Sequence, residues 1–115
     1  MATNQQLDLT LINGYLEVLD INVIQQMLDL YIQQSALYIK AIETAVVDAD
    51  KNSWQEQCHK MKGSAASAGL CQVHQQLIIL EKSSDDWQTK AEQLRALAVL
   101  NQAAIETFQQ WLAGQ

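Results

Sequence analysis

His59, Lys62 and Gly63 stand at i, i+3 and i+4, so on a helix they share one face. At 100° per residue with His59 at zero, Trp54, Cys58, Met61, Ala65 and Ala68 fall between about 180° and 260°. That is the core stripe, and His59 points away from it into solvent. Within about 80° of His59 lie Gln55, Glu56, Lys62, Gly63, Ala66 and Ser67. The part of this face toward the C-terminus carries mostly small residues. Gly63 costs about 1 kcal/mol in a helix interior, with no turn to justify it. Small residues beside an exposed histidine suit the close approach of a large partner, with Gln55, Gly63, Ala66 and Ser67 as its contact surface. An exposed imidazole is mostly neutral near pH 7, leaving a ring nitrogen free to act as nucleophile. Lys62 supplies positive charge for the oxygens of a phosphoryl group. The chemistry this face fits is carriage of a phosphoryl group on His59.

A second residue follows from height along a hairpin. Gly69 and Leu70 mark a turn, with His59 ten to eleven residues before it and Glu81 eleven to twelve after. With equal rise on both arms, the two residues meet at one level of an antiparallel helix pair. Glu81 is then placed to accept a hydrogen bond from His59 Nδ1, which fixes the tautomer and leaves Nε2 as the nucleophile.

Five helical stretches position these residues. A short first helix runs over about Asp8 to Val18, with Leu9, Leu11, Ile12, Tyr15 and Leu16 apolar and Gly14 weakening it. Asp20 or Asn22 caps a long second helix. Its stripe, Ile24, Leu28, Tyr31, Ser35, Tyr38, Ile42, Ala45 and Ala49, steps alternately by four and three. Asp50, Lys51 and Asn52 interrupt the pattern, and Ser53 is the expected cap of a third helix reaching Ala68. Gly69 fits the left-handed position after it. A fourth helix covers about Leu70 to Lys82, with Val73, Leu77 and Leu80 inward. Ser83 to Asp86 form a break that caps the fifth helix and places acids in its first turn. That helix carries Leu94, Leu97, Ala98, Ala104, Ile105, Phe108 and Leu112 on one face. Short loops between long helices predict an all-α, antiparallel up-down four-helix bundle with a short additional N-terminal helix, one domain over 1–115.

Composition agrees and excludes much else. The chain has 115 residues, no proline, four glycines and 49% apolar residues, which suits one helical domain and not a β-sandwich with its Gly/Pro turns. Seven basic against thirteen acidic residues give a net charge of −6, unsuited to nucleic acid or an anionic membrane. Met1 to Leu9 has neither a charged nor an apolar leader region, so no secretory signal is expected. No apolar run long enough for a membrane span occurs. A cytoplasmic monomer is the expectation. There is no Walker-type loop, nucleophile elbow or H-E-x-x-H, so neither an enzyme nor an autokinase is expected.

His59-Lys60-Met61-Lys62-Gly63-Ser64-Ala65, followed by Gly69-Leu70, resembles the H-x-x-K-G-[SA]-[SA]-x-x-x-G signature of histidine-containing phosphotransfer (HPt) domains. Glu81 falls where that family has Glu or Gln on the adjoining helix. Leu7-Asp8, Tyr15-Leu16-Glu17, Trp87 and Trp111-Leu112 are most similar to the HPt domain of ArcB-type hybrid sensor kinases. The resemblance implies reversible phosphorylation of His59 on Nε2, with Lys62 and Gly63 as accessory positions. The phosphoryl group would pass to and from an aspartate of a receiver domain, in a hybrid sensor kinase or a response regulator. It also implies that Mg²⁺ and most of the catalysis belong to the receiver, and that this chain has no cofactor of its own.

Plainer readings compete. A helical adaptor that binds receivers or other partners without carrying phosphate is the alternative function. Cys58, His59, Cys71 and His74 have metal-ligating types, but neighbours on a helix diverge by about 100°, whereas a tetrahedral zinc site needs convergence. His74 lies at the edge of the fourth helix's core stripe and reads as structural. Cys58 and Cys71 read as small buried hydrophobes. Trp54, Trp87 and Trp111 read as core packing.

Overall fold

The computed structural model describes residues 6–115. The first five residues of the stretch read for a leader lie outside them. Five helices follow in order: α1 Leu9–Val18, α2 Ile21–Val47, α3 Lys51–Ala68, α4 Cys71–Glu81 and α5 Trp87–Ala113. Each of α2 to α5 packs on its chain neighbour, and α2 closes the ring against α5. The result is the antiparallel up-down bundle expected, with α1 laid across one end. No helix among the described residues is long and apolar enough to cross a membrane.

Aspartates set the helix starts. Asp8, Asp20, Asp50 and Asp86 each accept a backbone N–H of the first turn through the side chain, satisfying donors that no helical carbonyl reaches. Two sequence expectations change here. The cap of α3 is Asp50, and Ser53 is the residue whose N–H it accepts, at 3.1 Å. Asp86 caps α5 from outside, so no acid lies in the first turn. Ala49 also leaves the α2 stripe. It sits in the α2–α3 turn at φ 51°, where Asp50 N–H donates to Ala45 C=O, as in a helix-terminating motif.

Gly69 ends α3 at φ 79°, and its carbonyl accepts Asp8 N–H at 2.8 Å. An added Cβ there would lie 2.8 Å from Ile12 Cγ1. Glycine is therefore required twice at this position, by the left-handed backbone and by the close approach of α1. Tyr15 Oη completes the dock by donating to the Ser67 carbonyl at 2.8 Å.

The core runs through the bundle as one cluster including Ile12, Ile24, Leu28, Trp54, Met61, Leu77, Leu97 and Phe108. It contains one polar layer, whose α2 members Tyr31 and Ser35 lie on the expected stripe and whose α5 member Asn101 is not among the residues expected for its own. Tyr31 Oη donates to Asn101 Oδ1 at 2.6 Å, and Asn101 Nδ2 donates to Ser35 Oγ at 3.1 Å. All three residues are buried. Burial pushes the Tyr31 hydroxyl well above its ordinary range, so it remains a donor. Nondirectional apolar packing lets α2 slide on α5, and these bonds fix the register. Tyr31→Phe leaves Asn101 Oδ1 buried and unpaired, so we expect a loss of about 1–3 kcal/mol in urea unfolding.

Candidate functional site

α3 carries the site because its two faces differ in kind. Trp54, Cys58, Met61 and Ala65 are buried. His59 is on the other face, with 68% of its side chain exposed. Cys58 and His59 thus point apart, and among the described residues no group of three His, Cys, Asp or Glu could hold a metal. Burial pushes the Cys58 thiol up to about 12, leaving it an inert core residue.

The α3–α4 hairpin brings Glu81 to His59. His59 Nδ1 lies 3.2 Å from Glu81 Oε1, and Lys62 Nζ lies 2.8 Å from the same oxygen. One carboxylate oxygen therefore serves both groups. With Nδ1 donating its proton to a carboxylate, Nε2 is the unprotonated nitrogen of the neutral ring. The Lys62 hydrogen bond, with a smaller part from His59, holds the Glu81 carboxyl below its ordinary value of 4.5 despite some burial. The lysine–glutamate pairing is the feature that sequence reasoning missed. The sequence assigns Lys62 to phosphoryl oxygens and Glu81 to His59, and the level match that pairs Glu81 with His59 also places it within reach of Lys62.

A carboxyl whose folded-state pKa is depressed adds stability above its unfolded value and loses it as pH falls through the folded one. Glu81→Gln should therefore melt about 1–4 °C below wild type at pH 7, a modest gap because all three groups face water in part. The gap should close as the pH is lowered below 4.5. Paired thermal melts from pH 7 to pH 3 test this, and a gap that persists in acid would contradict it.

Beside Gly63 the surface opens toward α2. A shallow groove of about 430 Å³ is lined by Leu30, Gln34 and Tyr38 of α2 and by Lys60, Gly63 and Ser67 of α3, among others. A Cβ built on Gly63 meets nothing within 4 Å, so the fold does not demand this glycine. Of the four residues assigned to partner contact, Gly63 and Ser67 line the groove. Gln55 is exposed one turn before His59, and Ala66 is half-buried; neither lines it. The α2 wall was missed because the wheel was drawn for α3 alone. Exposed Leu30 and Leu37, seven residues apart on α2, were the available signal. His74 and Cys71 are half-buried.

The Hpt domain family matches the chain over residues 26–111. Among solved structures, the chain is similar to the histidine-containing phosphotransfer domain of ArcB from Escherichia coli. The identity is 23% and the TM-score 0.83, over 95% of this chain and 94% of that one. That likeness speaks for the fold. No curated protein matches the chain. The family match spans most of α2 and all of α3 and α4, so it includes His59, Lys62, Gly63 and Glu81. The chain belongs to the Hpt domain family, phosphocarriers rather than catalytic enzymes, which work with receiver domains in two-component phosphorelays.

Proposed function

We propose that His59 Nε2 is the phosphoacceptor and exchanges a phosphoryl group with the active aspartate of a receiver domain. The observation that carries this reading is an imidazole tied at Nδ1 to Glu81 and otherwise exposed. In the accepting direction Nε2 attacks the phosphorus of the receiver's acyl phosphate. The N–P bond forms, the O–P bond breaks, and the aspartate leaves as a carboxylate. The ring keeps its Nδ1 proton, and Glu81 stabilises the charge that the ring gains.

Lys62 starts from its pair with Glu81 and turns toward the phosphoryl oxygens as they arrive. Glu81 then retains His59 alone. The resting pair keeps the lysine beside the histidine without leaving an unpaired cation on the docking face. Receiver contact is assigned to the open surface around Gly63, with Gln55, Ala66 and Ser67 at its margins. Mg²⁺ is assigned to the receiver. The phosphoryl donor is assigned to a phosphorylated receiver. The chain is read as a cytoplasmic monomer that offers one face in turn to receivers of a hybrid sensor kinase, a response regulator or both.

Incubation with a phosphorylated receiver tests the reading. It predicts phosphate on this chain that is lost in acid and stable in base, and return of that phosphate to an unphosphorylated receiver. Binding without label from any receiver of the same cell would favour the adaptor.

A further inference from the structure

The site depends on where the last turn of α4 lies, and a buried indole fixes that position. Glu81 is the final residue of α4, at the end of a helix, where backbone carbonyls lack helical partners. The carbonyl of the preceding residue, Leu80, accepts Trp54 Nε1–H at 2.8 Å. It also accepts Ser83 N–H at 3.1 Å within the local turn. The Trp54 bond crosses from α3 to α4, five residues before His59 on α3. Trp54 is itself fully buried. Its ring meets Trp87 edge to face, with centroids 6.2 Å apart. Lys90 Nζ lies 4.2 Å from the Trp87 ring centroid and 5.5 Å from that of Trp54. Lys90 is buried at the start of α5, where the positive helix end disfavours a cation, and the two rings compensate it. The indole thus has its plane set by α5 and its donor aimed at α4.

We infer that Trp54 is a positioning residue for phosphotransfer, holding Glu81 opposite His59 through the Leu80 carbonyl. The inference rests on the reading of His59 as the acceptor. Leucine packing at Leu77 and Leu80 is nondirectional and permits axial sliding, whereas a hydrogen bond to a carbonyl resists it. The tolerance is small. The His59–Glu81 contact, at 3.2 Å, already lies at the long end of N–H···O geometry, so a slide of about half an ångström breaks it.

The decisive readout is the His59 tautomer in the unphosphorylated protein, from ¹⁵N shifts of the ring nitrogens, alongside the rate of transfer from a phosphorylated receiver. Trp54→Phe removes the donor, and wild type should show Nδ1–H predominant. In the variant the population should move toward the Nε2–H form that dominates for a free histidine side chain, and transfer should slow by up to about tenfold. A folded variant with the wild-type tautomer and rate would overturn the inference and reduce Trp54 to core packing. Should Trp54→Phe not fold, Trp54→benzothienylalanine decides on the same criteria. It keeps ring size and replaces only the N–H, and the chain can be assembled by ligation at Cys58. A wild-type protein that takes no phosphate refutes the acceptor reading instead, and the tautomer comparison still judges the positioning.

Discussion

His59→Gln should lower phosphoryl acceptance from a receiver by more than about 10³-fold, because the nucleophile is gone and no other group replaces it. The fold should be untouched. The side chain is 68% exposed, and surface substitutions of this kind change stability by about 0.5 kcal/mol or less. The glutamine amide can still donate toward Glu81. His74→Gln is the matched control, since His74 has no lysine or glutamate hydrogen bond and should transfer at the wild-type rate. Radiolabel transfer at fixed receiver concentration, with circular dichroism melts of both variants, separates loss of chemistry from loss of structure. Comparable acceptance by His59→Gln would remove the acceptor assignment.

Gly63→Glu should slow transfer by about 10²-fold while making the bundle slightly more stable. The two effects have opposite signs because they arise on different sides of the helix surface. Within the helix, replacing glycine by a straight-chain residue gains about 0.5 kcal/mol of propensity. No clash offsets that gain, since an added Cβ meets nothing within 4 Å. On the partner's side, a side chain one turn from His59 fills the space a receiver must enter. A displacement of about 1 Å at the reacting atoms is enough for a hundredfold loss. Gly63→Lys separates bulk from charge and should slow transfer comparably if space is what matters. A rise in melting temperature with an unchanged transfer rate would show that the glycine serves neither fold nor docking.

What could be read from the sequence depended on how local the cause was. The caps of α2 and α5, the Gly69 turn and the α3 wheel rest on spacing within one helix, and they place His59 outward and Trp54 inward. Even the match of Glu81 to His59 needed only the rise per residue and the position of one turn. Lys62 pairing with Glu81 was harder. A long lysine on the same face reaches either a future phosphoryl group or a present carboxylate, and only the folded hairpin shows which partner is there at rest. Asn101 and Lys90 fell on the α5 stripe, four residues from Leu97 and Leu94, but a stripe counted in apolar residues passes over them. Asn101 is partnered from α2, and Lys90 lies between Trp87 of its own helix and Trp54 of α3, so burial of these polar side chains became readable only with the neighbouring helices in place. The groove beside Gly63 has the same origin, because one of its walls belongs to α2.

The charge of Glu81 matters as well as its hydrogen bond. A glutamine oxygen there would still accept a hydrogen bond from His59 Nδ1–H, more weakly than a carboxylate, and would leave Lys62 without an anionic partner. The carboxylate holds both, so in the proposed transfer Lys62 would have to break a contact of 2.8 Å to reach an incoming phosphoryl group. In exchange, the lysine is kept within one helical turn of the acceptor before the partner arrives.

The central claim is the identity of the accepting atom. Phosphorylating uniformly ¹⁵N-labelled wild-type protein with a phosphorylated receiver, then recording ¹⁵N and ³¹P spectra of the product, tests it most directly. The prediction is a single phosphoramidate whose phosphorus couples to His59 Nε2, with Nδ1 still protonated. Phosphate on His74, on Nδ1 of His59 or on no histidine would contradict it.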